Sequence, residues 1–323
     1  MERNDFVEGV LFEDLNLPAF DRVYVNSSSY SLRFVPSDFF GVSVTHRGQV
    51  DTGDNPISVT VEDGVLRVGG SSTTTTSRRE RQLRIFSIGF FGSSERTMQI
   101  YVPRDALAHI EIKASSGIVR VEDVNFTTIS AQASSGSVTI AGNARFAESV
   151  DVQVSSGAVR LENLDAENID VRVTSGAIHA NRLTMTEGTF RTNSGAIVAN
   201  RLTMTDGTFR TTSGAVRLDD ITAHTLEAHA NSGNVTVEGA RIQPSDADDW
   251  GRVNLSVTSG SIRFDTHTSR NVFDYDMSVS AGSINIDGSR ASGRSASNTR
   301  TAGGAHTLTA RASSGNIRVN FGQ

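Results

Sequence analysis

Three groups of side chains in this 323-residue chain have the types and spacing for chemistry. The first is Asp246-Ala247-Asp248-Asp249-Trp250-Gly251, which has the carboxylate density of a calcium loop. An EF-hand needs oxygen ligands at alternate positions and a Glu at the twelfth, whereas Trp250 stands fifth and Val257 twelfth here. The stretch reads as an exposed acidic loop. The second group is the seven His. His179 takes the place of an Arg on an outward file, and His224 and His229 fall on opposite sides of a strand start. No spacing brings two His and a carboxylate to one face of one element, so no metal site is expected. The third is Arg217, Asp219 and Asp220, the best candidates for a polysaccharide lyase or hydrolase, which needs acids and a cation along a cleft. With no Cys, disulfides, thiolate catalysis and cysteine-based metal sites are excluded, and no cofactor is expected.

The elements that must position these residues are set by a repeat. A Ser-Gly step recurs with Gly at 117, 136, 157, 176, 195, 214, 233 and 260, and as variants at Gly282 and Gly315. The first six intervals are 19, 21, 19, 19, 19 and 19 residues, and Thr174–Thr192 matches Asn193–Thr211 at 16 of 19 positions. The second residue after each Gly is Val or Ile, the fourth is usually apolar, and positions seven, five and three before it carry Ile, Val or Ala. Period two on both sides of a Gly describes two half-buried strands meeting at a corner; a helix would space its apolar residues by three and four. A coil of this length cannot bury its own apolar file, so coils must stack as parallel strands about 4.8 Å apart. The predicted fold is an all-β parallel β-solenoid of about ten 19-residue coils with an all-β N-terminal cap. The Gly is expected at a corner with positive φ, and the Ser before it to bond freed backbone groups at the bend. A catalytic Ser would be singular, not tenfold.

Residues 1–105 lack the repeat and read as the cap; residues 106–323 read as the solenoid, with inserted loops at 241–252 and 287–306. Glu62-Asp63-Gly64 is a hairpin turn candidate. The chain ends just after a strand, an end to be capped by an inserted loop or used for self-association through the C-terminal coil. Gly69–Arg96 is Arg-rich around Ile85, Phe86, Ile88, Phe90 and Phe91, a run that serves as a lid on the first coil or, with Trp250, as a contact loop.

Outward charges form files: Arg120, Arg160, Arg217, Arg263 and Arg318, beside Glu122, Glu162, Asp219 and Asp265. Lys113, Arg172, Arg191, Arg210 and Arg311 form a second. Alternating signs describe a solvated sheet face, since an acidic-glycan surface would need the cations unopposed. Thr184–Thr186 and Thr203–Thr205, with Thr189/Thr208 and Thr192/Thr211, would form Thr ladders, which admits ice binding as an alternative. A formal charge of −6 without a basic stretch excludes a general nucleic-acid binder. No window has the roughly 18 apolar residues of a membrane helix, and Met1–Asp5 does not lead into a signal-peptide core, so any export signal or anchor is expected outside this chain or not at all.

The coils Ser115-Ser116-Gly117-Ile118-Val119-Arg120-Val121 and Ser155-Ser156-Gly157-Ala158-Val159-Arg160-Leu161 follow Asp63-Gly64-Val65-Leu66-Arg67-Val68 and Ile100-Tyr101-Val102-Pro103. Across roughly residues 20–320 this pattern resembles the bacterial putative-adhesin family of β-strand repeats, a domain class of unknown function. The resemblance implies a right-handed β-solenoid at or beyond the cell envelope, often behind a membrane segment, with some relatives tied to envelope-stress signalling. It carries over no catalytic residue. The expected function is a non-enzymatic interaction module presenting a rigid rod to an envelope protein, a glycan or a membrane surface.

Overall fold

Alternation of apolar and polar residues produces strands almost everywhere in the computed structural model, which describes residues 8–27, 30–47, 57–70, 95–142, 147–245, 249–293, 296–300 and 306–322. The one helical turn among them is the 3-10 turn Arg270–Val272. The chain forms two compact units, 1–155 and 156–323, so the boundary read at 105/106 falls inside the first.

The first unit contains β1 (Glu8–Asp14), β2 (Arg22–Ser27), β3 (Ser31–Pro36), β4 (Gly41–Arg47), β5 (Ile57–Glu62) and β6 (Val65–Gly70). They are followed by β7 (Glu95–Val102), β8 (His109–Ala114), β9 (Ile118–Glu122), β10 (Thr128–Ser135), β11 (Ser137–Ala141) and β12 (Ala147–Ser156). Parallel pairing orders one face as β6, β2, β8, β10, β12 and the other as β7, β3, β9, β11. Every second residue points inward, so Val23, Ile110 and Ile129 form one buried file and Val25, Ile112 and Ala131 the next. Each such side chain contributes about 1.5–3 kcal/mol on burial.

Much of the N-terminal region is thus layered like the repeats. β2 and β3 make a layer without a Ser-Gly step, turning at Tyr30, and the Ile118 N–H donates to Ser31 Oγ at 3.2 Å. The covering is done by β5, antiparallel on β6, by β4 on β7, and by β1 on β4. β5 and β6 are joined by the expected hairpin turn, with Asp63 at φ 50 and Gly64 at φ 74. Antiparallel strands in this place shield the unpaired edge that a parallel stack otherwise presents.

The second unit begins with four 17-residue strands, β13 (Val159–Ser175), β14 (Ile178–Ser194), β15 (Ile197–Ser213) and β16 (Val216–Ser232). They pair parallel and in register, stacking Val159, Ile178, Ile197 and Val216, and likewise Leu164, Leu183, Leu202 and Ile221. Phe190 and Phe209 stack in the core with centroids 5.1 Å apart. The insertion after residue 242 then splits the next layer into β17 (Val235–Ile242) and β18 (Arg252–Ser259), both pairing with β16. The remaining strands are β19 (Ile262–Ser269), β20 (Phe273–Ile286), β21 (Ser289–Gly293), β22 (Ala296–Arg300) and β23 (His306–Gly322).

Their spatial order is not their chain order. β23 pairs with β18 and β19 on one edge and with β20 on the other, so the last strand of the chain lies one layer in from the end. β20 is the outer parallel layer, and β21 and β22 run antiparallel along it. Both edges of the C-terminal strand are therefore paired within the chain. Part of the 287–306 excursion supplies the strands that close the stack.

Candidate functional site

The corners fix where every outward side chain points. The second unit aligns Gly157, Gly176, Gly195, Gly214, Gly233, Gly260, Gly315 and Gly282 in that order, and Gly117 lies next to Gly136 in the first. Each has φ between +112 and +150. A Cβ built at Gly195 would lie 2.6 Å from the Gly176 carbonyl carbon, too close for any side chain. The backbone closes the corners itself: Gly176 N–H donates to Ser194 O at 2.7 Å and Ile178 N–H to Ala196 O at 2.9 Å. The Ser residues before the glycines in the second unit's regular coils are exposed, and the hydroxyls of buried Thr192 and Thr211 donate to Gly176 O and Gly195 O. In these two coils the role expected of Ser at the bend is taken by the Thr three residues before the Gly.

A second column of corners escaped the sequence reading. Six residues after the Gly, φ is positive at Asp123, Asn163, Arg182, Arg201 and Asp220, with Gly142 and Gly239 in the same place in their coils. Left-handed backbone favours Asp, Asn and Gly, and the recurrence of those types at that offset is the signal that could have revealed it. Asp220 is one of these corner residues and forms an ion pair with Arg241 at 2.5 Å. Asp219 accepts from the Asn200 amide at 3.0 Å. Two of the three lyase candidates are thus engaged in coil-to-coil contacts, and Arg217 stands exposed on the outer face.

Ion pairs cover much of the outer faces: Lys113–Glu111 at 2.7 Å, Arg160–Glu162 at 3.2 Å, Arg263–Asp265 at 2.6 Å, and Arg172–Asp170. The Thr ladder is short. Thr184, Thr203 and Thr222 are in register, with Asp165 before them and Arg241 after.

Among the described residues of the acidic loop, Asp249 gathers the polar contacts. Its carboxylate accepts from Ser245 Oγ at 2.9 Å and Arg252 Nη2 at 3.0 Å, and lies 3.3 Å from Nε2 of buried His224. The Ser245 hydrogen bond, with His224 and Arg252, holds the Asp249 carboxyl below the usual carboxylate range. His224 Nδ1 donates to Gln243 O at 3.1 Å. His306, 4% exposed, accepts the Gly251 N–H on Nδ1 at 3.0 Å, and burial followed by the nearby His224 pushes its pKa down. Trp250 is 42% exposed and meets the His306 ring edge-on at 5.5 Å. Asp246 and Asp248, like Ile85, Phe86, Ile88, Phe90 and Phe91, lie outside the described residues.

Among the described residues, each unit has an outward depression on strands that precede its own corners. In the second unit one of about 260 Å3 is lined by Arg210, Glu227, His229, Asn254 and Ser256. Its cation is spent on Glu227 at 3.1 Å, and His229 Nδ1 is 2.7 Å from Ser256 Oγ. In the first unit one of about 340 Å3 is lined by Tyr24, Asn26, Ser58, Arg67, Glu111 and Lys113. The Arg67 guanidinium lies 4.8 Å over the Tyr24 ring. Sequence reasoning missed both, because their walls come from strands that are neighbours in space and not in the chain.

The model of one family, described as Toastrack DUF4097, matches residues 22–206 and again 147–320. The chain belongs to that family. The resemblance read from its Ser-Ser-Gly coils holds, and the Toastrack assignment agrees with a β-solenoid-like, all-β architecture. No curated protein matches the chain. Among solved structures, it is similar to a putative adhesin of Parabacteroides distasonis at 12% identity and TM-score 0.47, covering 98% of both chains. It is also similar to a putative adhesin of Parabacteroides merdae at 9% identity and TM-score 0.43, covering 98% of this chain and 96% of that one. A protein of Parabacteroides distasonis described as a putative lipid binding protein matches at 13% identity and TM-score 0.41, covering 98% and 97%. Among the described residues no helix is long and apolar enough to cross a membrane.

Proposed function

We propose that this Toastrack chain is a non-enzymatic, adhesin-like interaction module of the cell envelope, whose stacked coils hold broad polar faces and loops against a glycan, a protein or a membrane surface. The observation that carries this reading is the use made of the polar residues. Most of the candidate acids are committed to neighbouring coils, as Asp219 is to Asn200 and Asp220 to Arg241, and repeated ion pairs occupy the outer faces. Catalysis needs an acid and a base left free around a common point. The proposal includes a right-handed winding of about ten coils, the sense that right-twisted strands favour in parallel connections.

The test has two arms. Purified protein is mixed with envelope fragments and sedimented, and it is assayed for turnover on a panel of acidic polysaccharides. Retention on the fragments without turnover is the expected result. Turnover abolished by Asp219→Ala would establish the lyase or hydrolase alternative instead, and failure to sediment with any envelope fraction would remove the surface reading.

A further inference from the structure

The first unit's depression sets a cation that makes no ion pair among the described residues, Arg67, beside an open floor. β5, β6, β2 and β8 run side by side there, placing Ser58, Gly69, Asn26 and Lys113 in one row, with Thr60, Arg67, Tyr24 and Glu111 in the next. Gly69 leaves the first row without a side chain at its middle. A Cβ there would meet only the Asn26 carbonyl oxygen at 3.7 Å and Asn26 Cβ at 3.9 Å, so the glycine keeps space open and is not required by the backbone. On the walls, Arg67 makes no ion pair among the described residues, and its guanidinium carbon lies over the Tyr24 ring 4.8 Å from the centroid, a cation–π contact that leaves it without a carboxylate. Lys113 is held by Glu111 at 2.7 Å.

We infer that this depression binds a uronic acid unit of an anionic polysaccharide. The charge balance of the lining, two cations to one carboxylate, is opposite in sign to that of the chain at −6. A planar guanidinium matches a planar carboxylate through paired N–H bonds. The rest of the lining suits the remainder of a sugar. Ser58, Thr60 and Asn26 present neutral donors and acceptors, and Glu111 adds a charged acceptor for ring hydroxyls. An inorganic anion, which has no hydroxyls to donate when fully ionised, would be repelled by that carboxylate. A volume of about 340 Å3 is at the lower end of the range for small-molecule sites and suits one or two sugar units of a longer chain. This rests on the surface-module reading and names its glycan class and its place.

The experiment titrates the full chain with an oligogalacturonate tetramer in a calorimeter, beside Arg67→Gln and Gly69→Val. Val suits a strand and fills the floor, and circular dichroism melts verify that both variants fold. Each variant is expected to weaken binding at least about tenfold, the size of a lost charged hydrogen bond or of a blocked floor. The methyl-esterified tetramer is expected to bind at least about tenfold more weakly than the acid. No binding by the unaltered chain, equal binding by both folded variants, or full competition by inorganic phosphate would each overturn the site. Retention on envelope fragments without tetramer binding refutes this site and spares the surface reading; tetramer binding without retention supports the site and refutes that reading.

Discussion

Replacing Gly195 by Ala tests the stacking geometry at its tightest point. At φ +146 an L-residue is strained by about 1–3 kcal/mol. The added methyl would lie 2.6 Å from the Gly176 carbonyl carbon and closer still to its oxygen, and both are backbone atoms that cannot swing aside. The two coils must separate locally. That weakens the flanking bonds Gly176 N–H to Ser194 O and Ile178 N–H to Ala196 O, each with a net worth of about 1 kcal/mol. The sum is about 3–5 kcal/mol, a large loss for a single methyl. Gly288 is the matched control: its φ is +85, but nothing lies within 4 Å of the added Cβ. There only the backbone preference acts, at about 1–2 kcal/mol. Thermal unfolding followed by circular dichroism should place Gly195→Ala roughly 5–10 °C below Gly288→Ala, at about 2–4 °C per kcal/mol for a unit of this size. Midpoints of the two variants within roughly 2 °C of each other would refute the steric column of corners.

Three further expectations follow from the same structure. Arg201 adopts φ 55, so Arg201→Gly should change stability by less than about 0.5 kcal/mol, whereas Arg201→Val should cost about 1–2 kcal/mol in urea unfolding. The folded pKa of His306 is depressed, so the unfolded chain binds the proton more tightly; His306 contributes stability above the unfolded value near 6.5, and this is lost as pH falls through the folded value. Melting midpoints across pH 8 to 5 should therefore drop on the acid side, and His306→Asn, which offers Gly251 an uncharged acceptor, should flatten that drop. Deleting residues 306–323 strips β20 of its parallel partner and bares β18 and β19, so the truncated protein should aggregate on size-exclusion chromatography; a soluble monomer would contradict the internal position of β23.

The corner glycines, the alternation around them and the family could be read from the chain alone. Each leaves a trace in the local sequence: the side-chain period of a strand is two, and a corner residue such as Gly195 has a positive φ that favours glycine. The buried files Val159 to Val216 and Leu164 to Ile221 follow as soon as successive coils are laid in register. Even the second corner column left a trace in the Asp, Asn and Gly found six residues on. The order of layers left none, because a strand edge offers the same N–H and C=O groups whatever its side chains, so no local pattern tells β23 to lie between β19 and β20. Nor does it tell β2 and β3 to lie between the β6/β7 layer and the β8/β9 layer. That choice was made by the tertiary structure, by which arrangement leaves the last parallel edges where antiparallel strands can cover them. The candidate glycan site is a product of the same choice: Gly69, Asn26 and Lys113 come from three separate segments, and only their lateral pairing turns a missing side chain into a floor and a surface arginine into a wall.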